Sequence, residues 1–284
     1  MKKNIIILGS NGSIGTALKL FLKSSYNIYS FDIPDFDVLN KNYIIFFLKN
    51  IDKTKKYIIV NCIGLMGADS SKENVEKYLE INSFFPSEFI ESIIEKIQIE
   101  KYIFLSSETI YGSGKNLLEN NKKNPIHPYG ISKLIAEINI KKIFDKIKKK
   151  IPIIILRIPV VIFQKQKFDN TLTLICNDFK KREITIYGNG THERNYIFIK
   201  DFCEIINLIV IKKMSKVINV FNVPGNRCNS INIVKILQKK YRKKIRLNFK
   251  KSMKSFTLAT SSKKFNKMFK FRLKYNLKKI IELL

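Results

Sequence analysis

Residues 9 to 15, GSNGSIG, sit between the apolar run NIIIL at 4 to 8 and ALKLFLK, whose apolar residues recur at helical spacing. A short apolar run that ends in glycine suits a strand buried on both faces, and such strands belong to parallel sheets. The order strand, glycine turn, helix fixes what the turn can do. Gly9 allows the tight turn, Gly12 lets the backbone approach a pyrophosphate, and Gly15 lets helix and strand pack closely, with the phosphates on the helix N-terminus. NIYSF at 27 to 31 reads as the second strand and ends in Asp32. An acid about 20 residues beyond the glycines takes the adenosine ribose, which favours NAD over its 2′-phosphorylated form, NADP.

The same rhythm continues. A helical stretch at 38 to 50 leads to a third buried strand, YIIVN at 57 to 61, which closes in Asn61, Cys62, Ile63 and Gly64. VEKYLEINSFFPSEFIESIIEKI supplies helix-period apolar positions, and KYIFLSS at 101 to 107 is the fourth strand, with Ser107 at its C-terminal end. A helix through Tyr129 and Lys133 running to about Lys150 and a strand in IPIIILRIP at 151 to 159 complete the alternation. The expectation is an α/β chain, a Rossmann-type doubly wound parallel sheet over residues 1–159. Beyond Pro159 the elements shorten: a helix near 169 to 181, a strand ITIYG at 184 to 188, a loop NGTHERN, a helix from Asp201, a strand VINVFNV and a helix near 231 to 241. They predict a smaller, mainly substrate-binding domain over 160–284, with an approximate boundary that segments are free to cross.

HPYGISK at 127 to 133 carries the chemistry. Tyr129 and Lys133 stand at i and i+4, one turn apart on one helix face. A free phenol titrates near ~10, so Tyr129 is a poor base at neutral pH unless a cation sits beside its oxygen, and Lys133 is such a cation. Ser107, in SSETIYG, could hydrogen-bond the same substrate oxygen. A hydroxyl, a phenol and an ammonium converging on one oxygen can move a proton while a hydride leaves the carbon.

Composition bears on partners. The formal net charge is +30, and residues 1 to 130 hold 16 Lys+Arg against 14 Asp+Glu while the rest hold 37 against 9. Such a field could attract an anionic substrate or surface, or be a solvated shell of lysines. Lysine far outnumbers arginine, KKIFDKIKKK spaces its charges as a helix face would, and no aromatic-basic interleaving is present, so the shell is favoured and no nucleic-acid partner is expected. A non-catalytic Rossmann module binding polyanions or a membrane surface stands as the alternative, recognisable by steep salt dependence. Cys62, Cys176, Cys203 and Cys228 form no CxxC pair and have no histidine at ligand spacing, which argues reduced, structural thiols and no metal. With no signal peptide and no apolar run of about 18 residues, the expectation is a soluble, cytoplasmic protein, peripheral membrane contact left open.

GSNGSIG, Asp32, SSETIYG, PYGISK, ILRIP, ITIYGNGTHERNYIFIKDF and FNVPGN, in this order, resemble the NAD-dependent epimerase/dehydratase group of the extended short-chain dehydrogenases/reductases, which act on nucleotide sugars. The resemblance implies Tyr129 as catalytic base and acid. It implies Lys133 as the residue that binds the nicotinamide ribose and lowers the tyrosine pKa, and Ser107 as the hydroxyl that orients the sugar oxygen. It places the dinucleotide on Gly9, Asn11, Gly12, Ser13, Ile14, Gly15 and Asp32, with Asp37 near the adenine and Asn82 on the cofactor side. For the substrate it implies Glu108, Arg194 at the nucleotide diphosphate, and Lys250 as the nearest candidate for a late phosphate-binding arginine, though lysine lacks the bidentate fork. Relatives often dimerise through the helices that include that of Tyr129, which makes a homodimer the corresponding expectation.

Departures narrow the reaction. Val160, Val161, Ile162, Phe163 and Gln164 replace the family's NVYGP-like stretch, and Thr260 stands where an aspartate precedes a Ser-Lys pair. Family 4,6-dehydratases resemble Thr-Asp-Glu where this chain has Ser107, Glu108 and Thr109, so one of the two carboxyl groups is absent and dehydration becomes the lesser alternative. The 29-residue interval from Asp32 to Asn61 is closer to the 4-keto-sugar reductase branch. The implied activity is that of a nucleotide-sugar epimerase or 4-keto-sugar reductase.

Overall fold

The computed structural model describes residues 2–66, 72–165, 170–251 and 256–284. In chain order the first elements are β1 (Asn4–Leu8), α1 (Ser13–Leu22), β2 (Asn27–Phe31), α2 (Tyr43–Lys49), β3 (Lys56–Asn61), α3 (Lys72–Lys77), a π-helical turn (Tyr78–Phe84), α4 (Phe85–Ile93), β4 (Gln98–Ser107), a 3-10 turn (Glu108–Tyr111), β5 (Gly114–Leu117), α5 (Pro128–Lys146) and β6 (Ile153–Ile158). They are followed by β7 (Val160–Ile162), α6 (Thr171–Lys180), β8 (Glu183–Tyr187), β9 (Glu193–Phe198), α7 (Ile199–Ile211), β10 (Ile218–Asn222), β11 (Asn226–Asn229), α8 (Ser230–Tyr241), β12 (Arg246–Lys250), β13 (Leu258–Thr260), α9 (Lys263–Phe269) and α10 (Leu277–Leu283). Among the described residues no helix is long and apolar enough to cross a membrane.

Two compact units share the chain. The first comprises Met1–Gly112, Lys122–Arg157 and Cys203–Phe221; the second comprises Ser113–Asn121, Ile158–Phe202 and Asn222–Leu284. The units interleave along the chain. The return of the chain to the first unit has a local cause, because β10 pairs at the edge of the first unit's sheet. Beside it, the buried ammonium of Lys101 on β4 donates to the carbonyls of Ile209, Val210 and Lys212 at 2.9, 2.7 and 2.8 Å, closing the C-terminus of α7. Burial brings that lysine down to about 8.

The first unit is built on a six-stranded sheet in the order β10-β6-β4-β3-β1-β2, with parallel pairing of β1 to β2, β1 to β3 and β3 to β4. Ile5 to Leu8 and Tyr57 to Val60 are fully buried, as strands covered on both faces must be. From β2 the chain crosses back past β1 to β3, so the strand order reverses between β1 and β3. The crevice outside the carboxyl ends of those strands is where open α/β sheets bind ligands.

Local chemistry explains where the boundaries depart from expectation. The helix expected from 38 begins at Tyr43, because Asp37 and Asn40 take the backbone N–H groups of Leu39 and Asn42 into side-chain turns. The long helical pattern from Val75 splits into α3, the π-helical turn and α4; in that wide turn Asn82 and Ser83 are drawn inward to polar partners. Helix α5 stops at Lys146 rather than near Lys150, and the ammonium of Lys149 instead donates to the carbonyls of Ile94 and Ile97 just beyond α4. Residue 169, where a later helix was expected to start, lies outside the described residues; α6 is capped by Asn170 through Leu172 and Thr173.

The second unit holds a five-stranded sheet in which β11, β9, β13 and β5 are neighbours in that order and β7 pairs with β9, and a separate ribbon of β12 on β8. Two inward groups tie it together. Asn195 donates to Thr260 Oγ1 at 2.9 Å, which gives Thr260 a polar partner on the neighbouring strand. Asp201, fully buried in the first turn of α7, accepts the backbone N–H groups of Lys274 and Tyr275 at 3.0 Å each. An Asp201→Ala variant leaves both donors without that acceptor and is expected to lose about 2–4 kcal/mol of stability, read by urea denaturation.

Candidate active site

The three groups singled out from sequence all lie in the first unit. Helix α5 begins with His127 in extended conformation and Pro128 in its first turn, where the missing N–H and fixed φ cost nothing. Tyr129 follows at once. A side chain at Gly130 would come within 2.9 Å of the Thr109 carbonyl, so the glycine lets this first turn lie against the turn that Ser107 starts. Ser107 caps that 3-10 turn: its Oγ accepts from the Thr109 N–H at 3.2 Å and from Thr109 Oγ1 at 2.9 Å. Both hydroxyl lone pairs are then used, which leaves Ser107 its own proton to donate.

The half-buried phenol of Tyr129 is pushed up to about 12, first by burial, with the hydrogen-bonded Ser107 hydroxyl pulling it down and Tyr78 pushing it up further. Lys133 is buried. Its ammonium donates to the Leu105 carbonyl at 3.1 Å and lies 5.0 Å from the centre of the Phe104 ring. Burial pulls it down to about 8, against a small opposing influence of Cys62. Burial dominates the shift of the phenol, and the Lys133 ammonium is engaged by β4.

Asn82, fully buried in the π-helical turn, accepts from the Leu65 N–H at 2.8 Å and donates to the Leu65 carbonyl and to Ser132 Oγ. It thus holds the segment leaving β3 against α5. A Cβ on Gly64 would stand 2.9 Å from Lys133 Nζ and 3.1 Å from Asn82 Oδ1, so glycine here leaves the room the ammonium occupies, and a larger residue would displace it. The sequence displays Gly64 directly after the third strand, but only the fold shows what it makes room for.

At the first glycine turn, a Cβ on Gly15 would lie 2.0 Å from the Gly9 carbonyl oxygen, whereas one on Gly12 would meet only that oxygen, at 3.4 Å. Gly12 therefore faces open space at the N-terminus of α1, where no side chain caps the helix. Asp32 accepts from the backbone N–H of Asn11 at 2.7 Å and of Ile33 at 2.8 Å, and Asn11 Nδ2 donates to the Ile33 carbonyl, so turn and second strand are joined at the crevice. Ser13 and Ile14 open α1. Asp37 is exposed and forms its turn with Leu39. Glu108 is buried in the turn after Ser107.

Arg194 belongs to the second unit. It stacks 4.5 Å from the Phe256 ring centre, donates to the Phe256 and Glu193 carbonyls, and lines a cavity of about 410 Å³ with Leu174, Tyr187, His192 and Tyr196. Lys250 is exposed at the end of β12, opposite Tyr187, and does not line that cavity.

Residues 5–223 match the sequence pattern of the NAD dependent epimerase/dehydratase family. The chain belongs to that family. It is 25% identical over 258 residues to a dTDP-D-glucose 4,6-dehydratase of Dictyostelium discoideum, a match that covers 78% of this chain but only 58% of that protein. It is also 25% identical to the uncharacterized UDP-glucose epimerase YtcB of Bacillus subtilis, over 86% of this chain and 84% of the relative. Among solved structures, the UDP-glucuronic acid 4-epimerase from Bacillus cereus in complex with UDP-glucuronic acid and NAD superposes with a TM-score of 0.83 at 22% identity, covering 99% of this chain and 97% of that one. The six-stranded Rossmann-type sheet is thus the family's fold.

Proposed function

We propose that this chain is an NAD-dependent nucleotide-sugar epimerase or 4-keto-sugar reductase that moves a hydride at a sugar carbon, with Tyr129 as acid and base. The observation that carries the reading is the packing of Ser107 on Tyr129, with Lys133 one helical turn on, beside the carboxyl edge of a sheet whose first turn is a glycine cradle. The residues fit a dinucleotide: Gly12 opens onto the uncapped N-terminus of α1, where N–H groups can hold a pyrophosphate, and Asp32 suits a ribose diol and would repel a 2′-phosphate. NAD, when bound, supplies the hydride acceptor or donor. Ser107, both of whose lone pairs are taken by Thr109, turns its proton from the Tyr129 oxygen to the reacting sugar oxygen, Tyr129 takes or returns that oxygen's proton, and Lys133 contributes the positive charge that favours phenolate. Arg194 and its cavity in the second unit are assigned to the nucleotide part of the substrate.

Glu108 without a second carboxylate at Thr109 weighs against elimination of water, which needs both an acid and a base. The experiment that tests the reading is incubation of the purified protein with NAD or NADH and a panel of UDP-, dTDP-, GDP- and CDP-sugars. A 4-keto product, its reduction or a new epimer is expected with at least one of them; no turnover across the panel, with cofactor shown to bind, would sink the assignment.

A further inference from the structure

We propose that the buried Glu137–Arg157 pair is a positioning clamp that holds Ser107 in register with Tyr129 and Lys133, an inference that rests on the function proposed above. Glu137 lies on α5, one turn beyond Lys133 and about two beyond Tyr129 on the same face. Its carboxylate accepts from Ser106 Oγ at 2.6 Å, the residue just before Ser107. The same carboxylate takes a two-pronged grip from Arg157 of β6, through Nε at 3.0 Å and Nη2 at 2.7 Å. Arg157 Nη1 in turn donates to the Tyr111 hydroxyl at 2.6 Å, and the guanidinium lies 5.1 Å from that ring's centre. Tyr111 ends the 3-10 turn that Ser107 caps.

The network thus grips the chain immediately before Ser107, at the far end of the turn after it, and on the helix that carries the other two groups. Burial works against the charge on Arg157, but its hydrogen bonds and proximity to Glu137, with Tyr111, more than offset that and the guanidinium's pKa is raised. Stability is a poor reason for such a pair, since well-packed apolar residues of similar volume often serve equally well in its place. What apolar residues cannot supply is direction. A planar fork on a carboxylate fixes both distance and orientation, and misplacing reacting groups by about 1 Å can cost on the order of 100-fold in rate.

The test is a double variant, Glu137→Leu with Arg157→Met, which removes both charges together, alongside the single variant Arg157→Lys, which keeps the charge and loses the fork. The double variant is expected to bind NAD within about twofold of the parent and to keep KM within about threefold, while kcat falls roughly 10–100-fold. Arg157→Lys should fall between the two. A crystal structure of either variant should show the Ser107 and Tyr129 hydroxyls no longer within hydrogen-bonding distance. A folded double variant with parental kcat, or variant structures with the hydroxyl pair unmoved, overturns the clamp. If the double variant does not fold, Arg157→Lys decides by the same two readouts. Absence of any turnover by the parent would instead count against the proposed function, and the hydroxyl separation would still report on the clamp.

Discussion

Replacing Tyr129 with phenylalanine is expected to lower kcat by about 10³-fold or more while leaving NAD affinity within about twofold, because the ring keeps its packing and only the transferable proton is lost. The measurement is steady-state turnover of whichever sugar nucleotide the panel identifies, with cofactor binding followed separately by calorimetry. Undiminished turnover removes Tyr129 from the chemistry. A loss confined to KM would make it a substrate-binding group instead.

The same residue carries a pH signature that follows from the two shifted groups. With the phenol at about 12 and the ammonium at about 8, the first proton lost as pH rises leaves Lys133, not Tyr129. The species needed to deprotonate a sugar hydroxyl, phenolate beside ammonium, holds the same number of protons as phenol beside amine. It is therefore a minor tautomer of a state that becomes populated above about 8. In the oxidative direction kcat/KM should rise about tenfold per pH unit and level off near that value; in the reductive direction, where Tyr129 keeps its proton but the phenolate it leaves loses the Lys133 ammonium, kcat/KM should fall over the same range. Residual activity of the Tyr129→Phe protein should lose this limb. Persistence of an unchanged profile in that variant would show that the limb does not report the Tyr129 phenolate.

What was legible in the sequence was legible because the residue type itself encodes the constraint. Gly9 and Gly15 pack so closely that no other side chain fits, and tyrosine and lysine one turn apart declare a shared face. What escaped were relations between distant segments. Thr109 uses both lone pairs of Ser107, the Leu105 carbonyl and Phe104 hold Lys133, and burial sets the phenol's pKa; none of these follows from spacing along one element. The return of β10 to the first sheet was hidden for the same reason, since a strand's apolar pattern does not name the sheet it joins. Glu137 stands four residues beyond Lys133 on the same face, but its place in the site is set by Arg157 from another strand.

The two glycines of the first turn separate folding from cofactor binding. An alanine at Gly15 would drive its Cβ to 2.0 Å from the Gly9 carbonyl oxygen and 2.8 Å from Ser10 Cα, both backbone atoms, so α1 must withdraw from the turn. Gly15→Ala is expected to cost about 3–5 kcal/mol without any nucleotide present, and to abolish NAD binding with it. At Gly12, φ is −65° and the nearest atom to an added Cβ lies at 3.4 Å, so the polypeptide itself tolerates alanine, with no more than about 1 kcal/mol lost at the helix cap. The space that methyl fills is the space through which a pyrophosphate would reach the helix N-terminus. Gly12→Ala should therefore unfold near the parental midpoint in denaturant yet bind NAD at least tenfold more weakly, a combination that a purely structural glycine turn would not produce. Should Gly12→Ala bind NAD like the parent, the dinucleotide does not lie on this turn, and the hydride acceptor would have to be sought elsewhere along the sheet's carboxyl edge.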